Sequence, residues 1–209
     1  MIEAFGSSLL AFAAISLIVE LTPGPNMAYL AALSLVKGWR AGVAAVAGVA
    51  LGLSIYGIAA ALGLAALVER YVVLYEILRW VGIVYLLWLA WEAWSADTED
   101  AGPGTEFDRT LGESFRRGLL TNLLNPKAAI FYVAVVPDFI VPTGSIAAQT
   151  LTLAAIYVSI ATVVHLSIVV LASRLARHLN DARRRRLVSR SLALALVGIA
   201  AWFAVSTMR

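Results

Sequence analysis

Long apolar runs separated by short polar breaks set the pattern of this chain. Residues 4–36 hold a single charge, Glu20, and are interrupted at Thr22-Pro23-Gly24-Pro25-Asn26. Residues 41–68 hold no charge. Residues 72–95 form a third run bearing Glu76, Arg79 and Glu92, and a polar loop follows over 96–117 with Gly102-Pro103-Gly104 inside it. The fourth run, 115–136, contains Asn125-Pro126-Lys127. Residues 139–173 carry no full charge and hold only His165, and the Arg-rich stretch 174–190 precedes a last run at 191–208. A spanning helix needs about 20 apolar residues. The runs are continuous and rich in Ala and Leu, without the alternation of a membrane barrel strand. The pattern predicts an all-α polytopic membrane protein, one transmembrane domain over 1–209 with six transmembrane helices. No Lys or Arg precedes the first run, and apolar sequence continues past a signal-peptidase site, so that run is expected to remain a span.

The runs also echo one another. Pro23 and Pro126 each interrupt the first span of a three-span half, the halves being about 1–95 and 112–209. An odd number of spans per half inserts the two in opposite orientations, as in inverted-repeat transporters whose broken helices form a site near the membrane midplane. The expected fold is therefore two inverted three-helix repeats with helices 1 and 4 broken at their Pro motifs.

Composition narrows the function classes. The 209 residues are 61% hydrophobic and 14% charged, against about 45–50% and about 25% in soluble domains. That excludes an ordinary soluble enzyme and a disordered chain. With no Cys, disulfide scaffolds, Cys-ligated zinc, iron–sulfur clusters and thiol redox chemistry drop out. The two His, His165 and His178, are not at metal-ligand spacing, so no metal or other cofactor is expected. Phosphate-binding Gly loops, His-Glu-x-x-His and Ser-nucleophile motifs are missing too. The connections after spans one, three and five hold twelve Lys and Arg, seven of them between Arg174 and Arg190, whereas the opposite side has Arg70 and Arg209. By the positive-inside rule both termini lie outside the cytoplasm. Arg183 to Arg186 read as a topology signal meeting anionic lipid head groups, and not as a nucleic-acid patch.

Candidate chemistry sits at the interruptions. Two Pro and a Gly within an apolar run remove backbone donors, and in lipid the freed carbonyls must face protein or an aqueous cavity. Carbonyls near Glu20 to Thr22 and amides near Asn26 are expected to line a substrate path; the bland alternative is a packing kink. Lys127, deep in the fourth run, is expected to face Glu20, Asp138 or a substrate carboxylate, the alternative being a permanent structural ion pair. Glu20, Asp138 and His165 are the candidates for carrying a coupled proton; His165 reads equally well as a bonded core residue. Glu76 and Arg79, three apart, suit a stabilising surface pair. Gly38-x-x-x-Gly42 and Gly48-x-x-x-Gly52 allow close helix packing, within the chain or across a homodimer. Trp39, Trp91, Trp94 and Trp202 suit interfacial anchoring.

At the two broken helices the sequence resembles the LysE/RhtB family of bacterial amino-acid exporters. The matching residues are Leu21-Thr22-Pro23-Gly24-Pro25-Asn26, then Lys37-Gly38-Trp39-Arg40-Ala41-Gly42 with Gly48. They continue with Leu78-Arg79-Trp80-Val81-Gly82, Tyr85-Leu86 and Trp88-Leu89. Phe115-Arg116-Arg117-Gly118, Asn122-Leu123, Asn125-Pro126-Lys127 and Pro137-Asp138-Phe139 complete the match across the whole chain. The resemblance implies an exporter of amino acids or close derivatives in a bacterial inner membrane, driven by the proton-motive force. The substrate-site candidates, read from the two breaks, are Glu20, Thr22, Pro23, Gly24, Pro25, Asn26, Asn122, Asn125, Pro126 and Lys127. Asp138 departs from the Gln frequent there in the family, which either alters substrate charge preference or adds a titratable group. Metal-cation efflux, and a non-transporting membrane enzyme or scaffold, are the competing readings.

Overall fold

The computed structural model of the chain describes residues 2–63, 72–95, 106–141, 144–178 and 182–206. Among them every regular element is helical. In chain order these are α1 (Ile2–Leu21), α2 (Pro25–Ala61), α3 (Val72–Ser95), α4 (Glu106–Leu123) and the short α5 (Pro126–Ile130). A π-helical turn (Phe131–Val135) and a 3-10 turn (Val136–Phe139) follow, then α6 (Ile146–His178) and α7 (Ala182–Ser206). The Gly102-Pro103-Gly104 tract, Arg70, Arg209 and the side chains of Arg79 and Arg183 to Arg186 lie outside the described residues. The expected Glu76–Arg79 pair and the lipid contacts of the Arg cluster fall there too.

By length and apolarity Pro25–Ala61 and Ile146–Ala176 each suffice to cross a membrane. Leu111–Leu123 with Pro126–Phe139, bent by 51°, makes a third crossing if the pair is one span. Shorter apolar helices run over Leu9–Leu21, Trp80–Trp91 and Ala193–Trp202. The protein is a multi-pass membrane protein.

Helix boundaries differ from the apolar runs in instructive ways. α4 begins at Glu106 rather than near 115, because its first turns are a polar helix carrying Asp108, Arg109, Glu113, Arg116 and Arg117. Apolar runs cannot reveal a helix of that kind. Arg117 and Glu113, one turn apart, pair on it. Likewise α6 continues through Arg174 and α7 starts at Ala182, so most of the Arg-rich stretch is helix end. Arg is a good helix former, and α6 at 33 residues extends to about 50 Å, well beyond a hydrocarbon core of about 30 Å. α2 is bent at Gly38, whose φ of 81° and ψ of 179° are non-helical. Such a φ suits glycine, and it turns the Lys37–Arg40 connection into a one-residue elbow.

α2 lies at the centre, packed against α6 and α4, with α1 on α6 and α3 on α7. Its approach to α4 is a backbone contact. A Cβ on Gly48 would strike the Phe115 carbonyl, and one on Gly118 would strike the Ala45 carbonyl. The small-residue row of α2 is therefore used within the chain. One apolar core joins Tyr29, Leu30, Ala45, Ile83, Leu86, Val169 and Leu196. A second gathers Phe12, Leu53, Phe131, Tyr132, Leu153 and Tyr157 around the second break. Large apolar side chains such as Leu10, Val84, Val163 and Leu171 stay exposed, a surface suited to lipid and not to water. All six Trp (Trp39, Trp80, Trp88, Trp91, Trp94 and Trp202) also face outward.

Candidate functional site

Each helix break disposes of its freed backbone groups in its own way. α1 closes with Thr22, whose amide and hydroxyl both donate to the Ile18 carbonyl at 3.2 and 3.0 Å. Pro23 has no donor to continue the ladder. α2 restarts at Pro25, with the Ala28 amide donating to the Gly24 carbonyl at 3.1 Å. At the second break Asn125 caps α5: its Oδ1 accepts from the Lys127 amide at 3.0 Å, with Pro126 in the first helical position. That capping bond takes the Lys127 amide away from the Leu123 carbonyl, its partner in an unbroken helix. The Tyr56 hydroxyl fills the vacancy, donating to the Leu123 carbonyl at 2.6 Å.

The two breaks, about a hundred residues apart in sequence, touch. Lys127 Nζ donates to the Thr22 carbonyl at 2.8 Å. Asn26 Nδ2 donates to Asn122 Oδ1 at 2.9 Å in a buried contact. The lysine stem lies against Gly24, where a Cβ would already be 3.4 Å from Lys127 Cδ. Each break thus supplies a group that satisfies the other, as non-helical backbone inside a membrane requires.

A carboxylate completes the junction. Glu20 is buried at the end of α1. It accepts a 2.6 Å hydrogen bond from the Tyr157 hydroxyl at Oε1, and His165 Nε2 stands 3.3 Å from Oε2. His165 is fully buried, and neither ring nitrogen is aligned to form a hydrogen bond within the protein. Asn26 Oδ1 and Asn122 Nδ2 are buried without partners as well. Glu20, Gly24, Asn26, Asn125, Lys127, Tyr157 and His165 line one small gap, closed by Met27, Leu53 and Ala128. Its free volume of about 10 Å³ admits roughly one water molecule.

Most of the residues singled out by sequence converge here, but not all in the same role. Glu20, Gly24, Asn26, Asn125, Lys127 and His165 face the gap. Thr22 lends its carbonyl, and Asn122 stands behind Asn26. Pro25 and Pro126 are buried helix starters, and Pro23 is exposed. Asp138 is exposed on the 3-10 turn and does not line the gap. Lys127 pairs with neither Asp138 nor Glu20; its hydrogen bond goes to a backbone carbonyl. Among the described residues no three His, Asp or Glu side chains gather as a metal site would need. Sequence reading missed Tyr157 and Tyr56. A Tyr within an apolar run signals only that its hydroxyl needs some partner.

Comparison with known proteins agrees with this geometry. The family model described as LysE type translocator matches residues 17–207. The chain is 29% identical to the homoserine/homoserine lactone efflux protein of Salmonella typhimurium, over 84% of this chain and 85% of that protein. It is 30% identical to the leucine efflux protein of Salmonella choleraesuis, over 89% of each. An uncharacterized membrane protein of Vibrio cholerae is 29% identical over 82% of this chain and 84% of its own length. No solved structure matches. A family match over nearly the whole chain, with relatives named as efflux proteins, settles the class: the chain belongs to the LysE type translocator family and is a transporter, not an enzyme.

Proposed function

We propose that this protein exports an amino acid or a close derivative across a bacterial inner membrane, in exchange for protons. The names of its relatives support amino-acid efflux. One observation carries the reading to this chain: a cationic and an anionic side chain, Lys127 and Glu20, share one gap without pairing to each other. An amino acid presents the complementary pair. Its carboxylate would take the Lys127 ammonium from the Thr22 carbonyl, and its ammonium would bind Glu20. The buried Asn26 Oδ1 and Asn122 Nδ2 offer a spare acceptor and a spare donor beside them. The positive end of α2, which begins at Pro25, favours the carboxylate further. Efflux of a metal cation gains no support from a gap that already holds an ammonium group.

In this reading the chain has six spans in two inverted halves. α1 with the start of α2 forms span one, and the remainder of α2 forms span two. α3 is span three; α4 with the turns after it is span four; α6 and α7 are spans five and six. Glu20 is the leading proton carrier because it belongs to the gap, where Asp138 does not. The test is efflux from proteoliposomes loaded with labelled leucine, homoserine or a basic amino acid, with the outside made acidic. Efflux of at least one of them should accelerate with the gradient and lose that acceleration on adding a protonophore. Equal rates with and without protein for every amino acid would overturn the reading.

A further inference from the structure

Tyr157 belongs to two structures at once. Its hydroxyl binds Glu20 in the gap. Its ring stacks on Phe131, with centroids 3.7 Å apart and planes 16° from parallel. From Phe131 an unbroken aromatic chain leads away from the gap. Phe131 meets Phe12 at 5.7 Å, and Phe12 meets Phe139 edge-on at 5.2 Å. Tyr132 packs edge-on against Tyr157 at 5.6 Å and stacks on Tyr56 at 6.1 Å. Phe12, Phe131, Tyr132 and Tyr157 are all fully buried. They form an aromatic plug beside the gap, with Phe12 nearer the start of α1 than Glu20.

The plug is seated on backbone that departs from the α-helix. Phe131 opens the π-helical turn, and Phe139 ends the 3-10 turn containing Pro137. Neither conformation has the regular bonding of an α-helix, and π turns inside helices concentrate at functional sites. Between this segment and the carboxylate, Tyr157 is the direct link.

We propose that Tyr157 is a positioning residue that ties the occupancy of Glu20 to the aromatic plug. The inference rests on the exporter reading above. With Glu20 ionised, the Tyr157 hydroxyl donates to a full negative charge, and the ring is held face to face with Phe131. When Glu20 takes up a proton or a substrate ammonium, that charge is neutralised. The bond from Tyr157 weakens, because charge-assisted hydrogen bonds are about twice as strong as neutral ones. The ring is then free to leave Phe131, and the π turn can shift. The other groups placed to influence Glu20 are His165 on α6, 3.3 Å away, Lys127 on α5, and Tyr132 on the π turn.

The chain has no Cys, so a single thiol reports on the plug without background. Val135→Cys places it at the end of the π turn, partly buried against the plug. In vesicles, modification of that thiol by a small impermeant reagent, corrected for the thiolate fraction with a free thiol standard, should quicken several-fold on acidification. Adding Tyr157→Phe, which keeps the ring and deletes the hydroxyl, should give fast modification at every pH. Glu20→Gln should likewise abolish the pH response. A Tyr157→Phe variant with the parent's slow rate and intact pH response would overturn the proposal. If Tyr157→Phe does not fold, Phe131→Leu probes the same link from the other side: a lost pH response supports it, and an unchanged one overturns it. Labelling does not require transport, so a failure to export amino acids with this pH response intact would count against the exporter reading alone.

Discussion

A lysine ammonium within an apolar span costs about 2.5–3.5 kcal/mol on insertion scales. Lys127 is held there by one hydrogen bond to a backbone carbonyl. A side chain present only to stabilise the fold would be better replaced by an apolar one. Lys127→Ala leaves the Thr22 carbonyl without this donor and should lower stability somewhat, yet it should still insert and fold while its export rate falls by more than about tenfold, a loss of roughly 1.4 kcal/mol in transition-state terms. Lys127→Arg should be nearly as poor, because a planar guanidinium does not replace a compact ammonium beside Gly24. Efflux rates normalised to the amount of inserted protein decide it, and near-parental export by Lys127→Ala would refute a substrate role. Glu20 and Lys127 were legible in the sequence because a charge in an apolar run calls for an explanation. Tyr157 was not, since its importance lies in what its hydroxyl meets, a residue 137 positions away.

Among the elements, the prolines announced both breaks, and the junction followed from needing to shelter freed backbone groups. What the runs of apolar residues could not show was where polar helices begin, as at Glu106, or that Gly38 turns α2 without a loop. Nor could they show that Tyr56 repairs α4. Its hydroxyl satisfies the Leu123 carbonyl, and a buried acceptor left unsatisfied costs about 1–3 kcal/mol. Tyr56→Phe should lower the thermal denaturation midpoint in detergent, and Asn125→Ala should do so through a lost helix cap of about 1 kcal/mol. Should Tyr56→Phe melt like the parent, the carbonyl has found another donor and Tyr56 is merely packed there.

At the scale of the whole molecule, orientation rests on charge. Twelve Lys and Arg on one set of connections against two on the other predict periplasmic termini and a cytoplasmic Arg183–Arg186 segment. Single Cys residues at 184 and 209 should separate in intact cells, with an impermeant thiol reagent reaching 209 and sparing 184. The reverse pattern would invert the topology. In the predicted orientation Phe12, nearer the start of α1 than Glu20, would lie on the periplasmic side of the gap.

The outward placement of every Trp has an optical consequence. Emission excited in the indole band comes wholly from side chains that face the surroundings, while Tyr132 and Tyr157 are sealed within. Intrinsic fluorescence should therefore report the bilayer and not the cargo. Reconstitution into lipids with brominated acyl chains should quench most of the emission, whereas saturating amino acid should leave its intensity and wavelength nearly unchanged. A large cargo-dependent shift would mean that transport moves the lipid-facing surface itself.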